Sequence, residues 1–164
     1  THSCNFYGPY HYPEKLIPLA ITNLLENKPI PVHGDGQQVR RWIHVLDFCR
    51  AVDLAMHKGK DFSIYNVAGD PVSNLDIIKI IAKSLNKNPD DFIYFINDRP
   101  GGDCRYAPDA VKIKKELGWE LKYPIKEHLA GVVDWYLKNK KWWQNIKEKK
   151  AYKDYYEKQL RSEY

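Results

Sequence analysis

The chain has 164 residues, 43% of them hydrophobic and 13% aromatic, enough for one domain with a real core, too few for two, and too apolar for a disordered segment. Its formal net charge of +5 is concentrated at one end: from Lys138 onward there are nine Lys/Arg and four Asp/Glu, while residues 1–137 balance. A neutral body with a basic tail is not the footprint of a dedicated nucleic-acid binder. No apolar run approaches the ~18 residues of a membrane span, and the N-terminus has no signal-peptide character. Cys4, Cys49 and Cys104 form no C-x-x-C pair, so they read as reduced thiols of a cytoplasmic protein rather than a zinc site or disulfide framework. His2, His11, His33, His44, His57 and His128 lack metal-ligand spacing, and no metal is expected.

In chain order, the first residues read as a strand's end entering a loop, an unusual start for a natural chain, so a truncated protein is expected. Residues 17–27 repeat apolar side chains at helical spacing, with Pro18 tolerated in the first turn. Residues 29–33 read as a short strand ended by the turn Gly34-Asp35-Gly36. Residues 41–45 look extended, and Asp47 is placed to cap a helix running to His57, with Phe48, Ala51, Val52, Ala55 and Met56 inward and Gly59 as its stop. Residues 62–67 form a compact apolar strand. Ser73 to Asp76 has the spacing of a capping box opening a helix with Ile77, Ile78, Ile81, Ala82 and Leu85 inside. A strand at 92–96, a short helix at 109–117 ending at Gly118, and a helix at 125–137 with Ile125, Leu129, Val132, Val133 and Tyr136 inward complete the body. The order predicts an α/β fold with mixed connections, and residues 147–164 a basic helical extension, read as solvated.

Several segments could carry chemistry. Asn5, after a strand end, is either a ligand-binding amide or a turn residue. Arg40 and Arg41 on an extended segment point to opposite faces, and a guanidinium presents a planar fork of donors suited to phosphate oxygens. Asn74 opens a helix whose N-terminus offers N–H groups to an anion, or it serves only as a cap. Asp98-Arg99-Pro100-Gly101-Gly102 is a tight loop bearing a third arginine. Tyr136 and Lys140 have Tyr-x-x-x-Lys spacing, but in a Lys-rich helix this reads as chance. Leu117-Gly118-Trp119 and Trp135 to Trp143 read as packing.

Four blocks occur in order: Asn5-Phe6-Tyr7-Gly8-Pro9 with Pro13-Glu14-Lys15-Leu16, then Gly34-Asp35-Gly36-Gln37-Gln38-Val39-Arg40-Arg41-Trp42, then Asp98 to Tyr106. They resemble the C-terminal half of the nucleotide-sugar 4,6-dehydratases, extended short-chain dehydrogenase/reductases of the Rossmann superfamily. The resemblance covers residues 1–146 and implies the substrate-binding part of such an enzyme, with the 62–67 strand belonging to the cofactor domain's sheet. It implies a nucleoside-diphosphate glucose as ligand, dTDP-glucose first and UDP-glucose as the alternative, held by Asn5, Lys15, Leu16, Pro31, His33, Arg40, Asn74, Arg99 and Tyr106. The Pro31–His33 strand would flank the base, and Arg40 and Arg99 would clamp the diphosphate. Phe6 stands where the family has an Asn near the cofactor, and Gly102 where it has a substrate-touching His.

The resemblance also marks what these 164 residues lack: the G-x-x-G-x-x-G turn, a credible Tyr-x-x-x-Lys pair and the upstream acid–base residues. The family's full enzymes use NAD to oxidise the sugar at C4, eliminate water across C5–C6 and return hydride to C6, and they dimerise. This chain alone is expected to hold the substrate, with no catalytic residue and no cofactor of its own, its partner being the missing N-terminal half. A UDP-glucuronate decarboxylase relative, a non-catalytic nucleotide-sugar module and an interaction protein using its basic tail are the other readings.

Overall fold

The computed structural model describes residues 1–98 and 101–161. Strand β4 (Val39–His44) is its hub. One edge of β4 pairs antiparallel with β6 (Asp70–Ser73), Arg40 facing Val72 and Trp42 facing Asp70. The other edge is shared by two short parallel strands: β2 (Asn5–Tyr7), with Asn5 beside Trp42, and β8 (Arg105–Tyr106), with Tyr106 beside Arg40. Two further parallel pairs flank this sheet: β1 (His2–Ser3) with β5 (Asn66–Val67), and β3 (Ile30–His33) with β7 (Ile93–Ile96).

The twofold alternation of side chains along a strand sends the sheet's residues into two cores. Tyr7, Trp42 and Val72 join a core built on α1 (Leu16–Leu25), α3 (Asn74–Ser84) and α5 (Ile125–Lys138). Ile43, with Phe6 packed against it, joins a second core containing Ala51 of α2 (Val45–Lys58) and Ile113 and Leu117 of α4 (Val111–Leu117). The inward stripe expected for α5 is buried as read, as are Ile77, Ile78, Ile81 and Ala82 of α3. Gly118 ends α4 in the left-handed conformation, φ 65°, that glycine adopts without a steric cost. Gly69 is required for another reason: a Cβ there would lie 1.8 Å from the Trp42 carbonyl oxygen, so only glycine lets the chain come this close to the hub strand as β6 begins.

Three expectations within the body need correction. Helix α2 starts two residues before Asp47, and its N-cap is His44, whose side chain accepts from the Leu46 N–H. Asp47 is fully buried in the first turn and serves a longer-range purpose. Its carboxylate accepts from the Lys122 and Tyr123 N–H groups and pairs with Arg50, while the Trp119 indole donates to its carbonyl. Met56, expected inward, is exposed, because α2 turns only a narrow face to the core. The apolar run 62–67 supplies a strand only at Asn66–Val67; Phe62 is fully exposed at φ 60° and Ile64 is exposed. An apolar run becomes a strand only where a neighbour pairs with its backbone, and β1 is in register with only the last two residues.

The tail is helical and lies against the body. Helix α6 (Lys140–Lys147) ends with Lys147 buried, its ammonium donating to Thr22 Oγ1, Asn23 Oδ1 and Glu26 Oε2 of α1 and the residue after it. Helix α7 (Lys150–Arg161) follows, with Tyr152 buried. Its reading as a solvated extension is therefore corrected: buried polar contacts hold it to α1.

Candidate functional site

Because β2 and β8 each cover only part of β4's edge, a cleft opens on the face to which Arg40 and Trp42 point. It measures about 240 Å³ and is lined by Asn5, Glu14, Lys15, Leu16, His33, Gln38, Arg40, Trp42, Asn74, Asp98, Gly102, Asp103 and Tyr155. Six residues singled out in the sequence, Asn5, Lys15, Leu16, His33, Arg40 and Asn74, thus come together from five different segments. Pro31 lies buried within β3, opposite Tyr94, and Tyr106 is exposed on β8; neither lines the cleft. Arg99 lies outside the described residues. The Phe6 ring packs edge-on against Phe48 at 4.9 Å, in the second core. A broader hollow of about 670 Å³ beside β6, lined by Lys79, Arg105 and Lys126 among others, gathers none of the eight that are described.

The cationic groups of the cleft are already engaged. Arg40 donates from Nη1 to its neighbour's Val39 carbonyl at 2.9 Å and from Nη2 to the Asp103 carbonyl at 2.6 Å. Its fork is thereby aimed across the gap between β4 and the 101–104 loop. Phosphate oxygens, as charged acceptors, make stronger hydrogen bonds with such a donor than carbonyls do. Arg41 points the other way, as alternation requires, and donates to the Gly69 carbonyl. Lys15 pairs with Glu14 at 2.6 Å on the exposed rim.

The two helix N-termini near the cleft differ in what they leave open to it. At α3 the cap is Ser73, whose hydroxyl accepts from the Asp76 N–H. The Asn74 and Leu75 N–H groups donate to the Gln38 and Gly36 carbonyls. The chain thus consumes the N–H groups expected to await an anion, leaving the Asn74 side chain as that helix's contribution to the cleft. Helix α1 is the reverse case: its N-cap residue Lys15 makes no side-chain cap, and its first residue, Leu16, lines the cleft. An uncapped N-terminus presents N–H groups and a positive dipole end.

Gln38 was not singled out, although it lies inside the most specific block. Its amide nitrogen donates to the His33 carbonyl and to Asp98 Oδ2, tying the end of β3 to Asp98, while its buried Oε1 has no protein partner among the described residues. Tyr155 was missed for a plainer reason: it belongs to the tail, and no periodicity tells which body surface a terminal helix covers.

The tyrosine of the chain's tyrosine–lysine spacing lies away from the cleft lining. Tyr136 is buried, its hydroxyl donating to the His11 carbonyl, and burial pushes its phenol well above the usual range. The Cβ positions of Gly59 and Gly69 are occupied by the chain's own Ala55 and Trp42 carbonyls. Among the described residues no group of three or more His, Cys, Asp or Glu could hold a metal ion, and no helix is long and apolar enough to cross a membrane.

The sequence profile of the NAD dependent epimerase/dehydratase family matches residues 1–68. A dTDP-glucose 4,6-dehydratase of Xanthomonas campestris pv. campestris is 44% identical over 155 residues, covering 89% of this chain and 44% of that protein. Among solved structures, the dTDP-glucose 4,6-dehydratase of Bacillus anthracis in complex with NAD matches with TM-score 0.83 at 45% identity, over 88% of this chain and 46% of that one. The Streptomyces venezuelae dTDP-glucose 4,6-dehydratase, also with NAD bound, matches with TM-score 0.84 at 39% identity, over 88% and 45%. The chain spans a little under half the length of the curated relatives it matches. It therefore has the α/β fold of one part of the extended short-chain dehydrogenase/reductases, and in that part it is similar to the dTDP-glucose 4,6-dehydratases.

Proposed function

We propose that this chain holds the nucleotide sugar of a 4,6-dehydratase, with dTDP-glucose as the ligand and UDP-glucose as the alternative. The observation that carries the reading is the cleft itself, which draws Asn5, Lys15, Leu16, His33, Arg40 and Asn74 together from separate segments. In this reading Arg40 exchanges its two carbonyl partners for phosphate oxygens, and Lys15 and the open N-terminus of α1 add positive potential. Asn5 and Asn74 supply amides that donate to phosphate or accept from a sugar hydroxyl. His33 and the backbone of β3 flank the base. Pro31 contributes through the strand it belongs to and Tyr106 by standing next to Arg40 on β8, and Arg99, outside the described residues, is proposed as a second guanidinium.

The dehydration itself needs NAD and acid–base residues that these 164 residues do not supply, so the whole enzyme's reaction is assigned to this chain together with a cofactor-binding half, as a homodimer. No reaction step is assigned to the residues of this chain.

The test is the thermal midpoint of the chain with dTDP, UDP and NAD, and of a hybrid joined to the N-terminal half of the Xanthomonas campestris relative. A ligand that binds only the folded state raises the midpoint by mass action. The expected result for the chain is a rise with dTDP or UDP, none with NAD, and loss of the rise in Arg40→Ala. A flat midpoint with both nucleotides, in the chain and in the hybrid, overturns the reading.

A further inference from the structure

We propose that Tyr155, on the C-terminal helix, gives the cleft an aromatic face for the nucleoside end of its ligand; this rests on the nucleotide-sugar reading above. Three aromatic side chains line the cleft: Trp42, His33 and Tyr155. Trp42 is buried, its indole donating to the Val72 carbonyl. Among the described residues, the rings that are only partly buried there belong to His33 and Tyr155.

Tyr155 is held in place by its neighbours. One turn apart, Tyr152 donates to the Pro13 carbonyl at 3.4 Å and Tyr156 to the Pro29 carbonyl at 2.9 Å, with the Asn23 amide donating to the Tyr156 hydroxyl. Lys147 pins the approach to α7 on Thr22, Asn23 and Glu26. Pro13 begins the segment leading to Lys15 and Leu16, and Pro29 immediately precedes β3. Helix α7 therefore bridges the two segments assigned to the nucleotide, and Tyr155 lies between its two anchoring tyrosines.

A phenol ring carries no charge for a phosphate, and the cleft already holds Arg40 and Lys15 for that. What a ring offers is a flat apolar surface on a side chain with few torsions to freeze. Since α7 is anchored before any ligand arrives, little ordering cost remains to oppose binding.

The experiment measures dTDP affinity by calorimetry in whichever form binds it, the chain or the hybrid, for the parent, Tyr155→Phe, Tyr155→Leu, Tyr155→Ala and Arg40→Ala. Tyr155→Ala and Tyr155→Leu are expected to bind about tenfold more weakly, the size of one lost stacking contact, with unliganded midpoints near the parent's. Tyr155→Phe, which keeps the ring, is expected to bind like the parent. Parent-like affinity in Tyr155→Ala, or equal affinity in the Leu and Phe variants, overturns the proposal. If Arg40→Ala abolishes binding while Tyr155→Ala leaves it intact, the cleft reading stands and the role of Tyr155 falls. If neither form of the parent binds dTDP, both fall.

Discussion

Arg40 and Asp47 show how differently single residues declare themselves. Arg40 stands out because its block resembles that of the nucleotide-sugar 4,6-dehydratases, and alternation then separates it from Arg41. Asp47 reads locally as a cap, yet its carboxylate is spent on N–H groups of Lys122 and Tyr123, about 75 residues away, and on Arg50. No local pattern announces that. With its side chain wholly buried, Asp47 is the residue whose loss leaves the most unpaired. Asp47→Ala is expected to lower stability by about 3 kcal/mol, since it strands two N–H groups and one partly buried guanidinium. Urea unfolding monitored by tryptophan fluorescence would measure this, and a loss below about 1 kcal/mol would show that water replaces the carboxylate.

At the scale of elements, helix existence was readable and helix starts were not, because a start depends on which group reaches the first N–H. For α2 that group is the His44 ring. Its Nδ1 must be unprotonated to accept from Leu46, and burial, with a smaller contribution from His128, outweighs Asp47 and holds His44 below its ordinary value of 6.5. The unfolded chain therefore takes up a proton at a higher pH than the folded one. This stability is fully present above about pH 6.5 and is lost as pH falls toward the folded value. His11, pushed down chiefly by burial, adds a slope of the same sign. The thermal midpoint should fall between pH 7.5 and 5.5, and His44→Asn, which can still cap, should fall less steeply. Equal slopes would remove His44 as the cause. The strands show the same limit: β8 and β6 have too few residues for a periodic signal and exist because β4 pairs with them.

For the whole molecule, the attachment of the tail depends on α1. Lys147, Thr22, Asn23 and Glu26 form a polar cluster that is mostly buried. Truncating one partner of such a cluster costs more than the ion pair itself contributes, because the others stay desolvated. Lys147→Met is expected to lower stability by about 2 kcal/mol and to speed amide exchange across α7 before the rest of the chain; unchanged exchange there would mean that Tyr152 and Tyr156 suffice. The sequence alone determined the α/β class and the buried stripes of α3 and α5, since these depend on periodicity within the chain, and its resemblance to a known family named six of the residues that line the cleft. The tertiary structure alone decided that Asp47 is a long-range tie, that α1 rather than α3 presents an open N-terminus, and that Tyr155 reaches the cleft. Each of those depends on which distant backbone group is close enough to bond, a property of the folded chain and not of any window of its sequence.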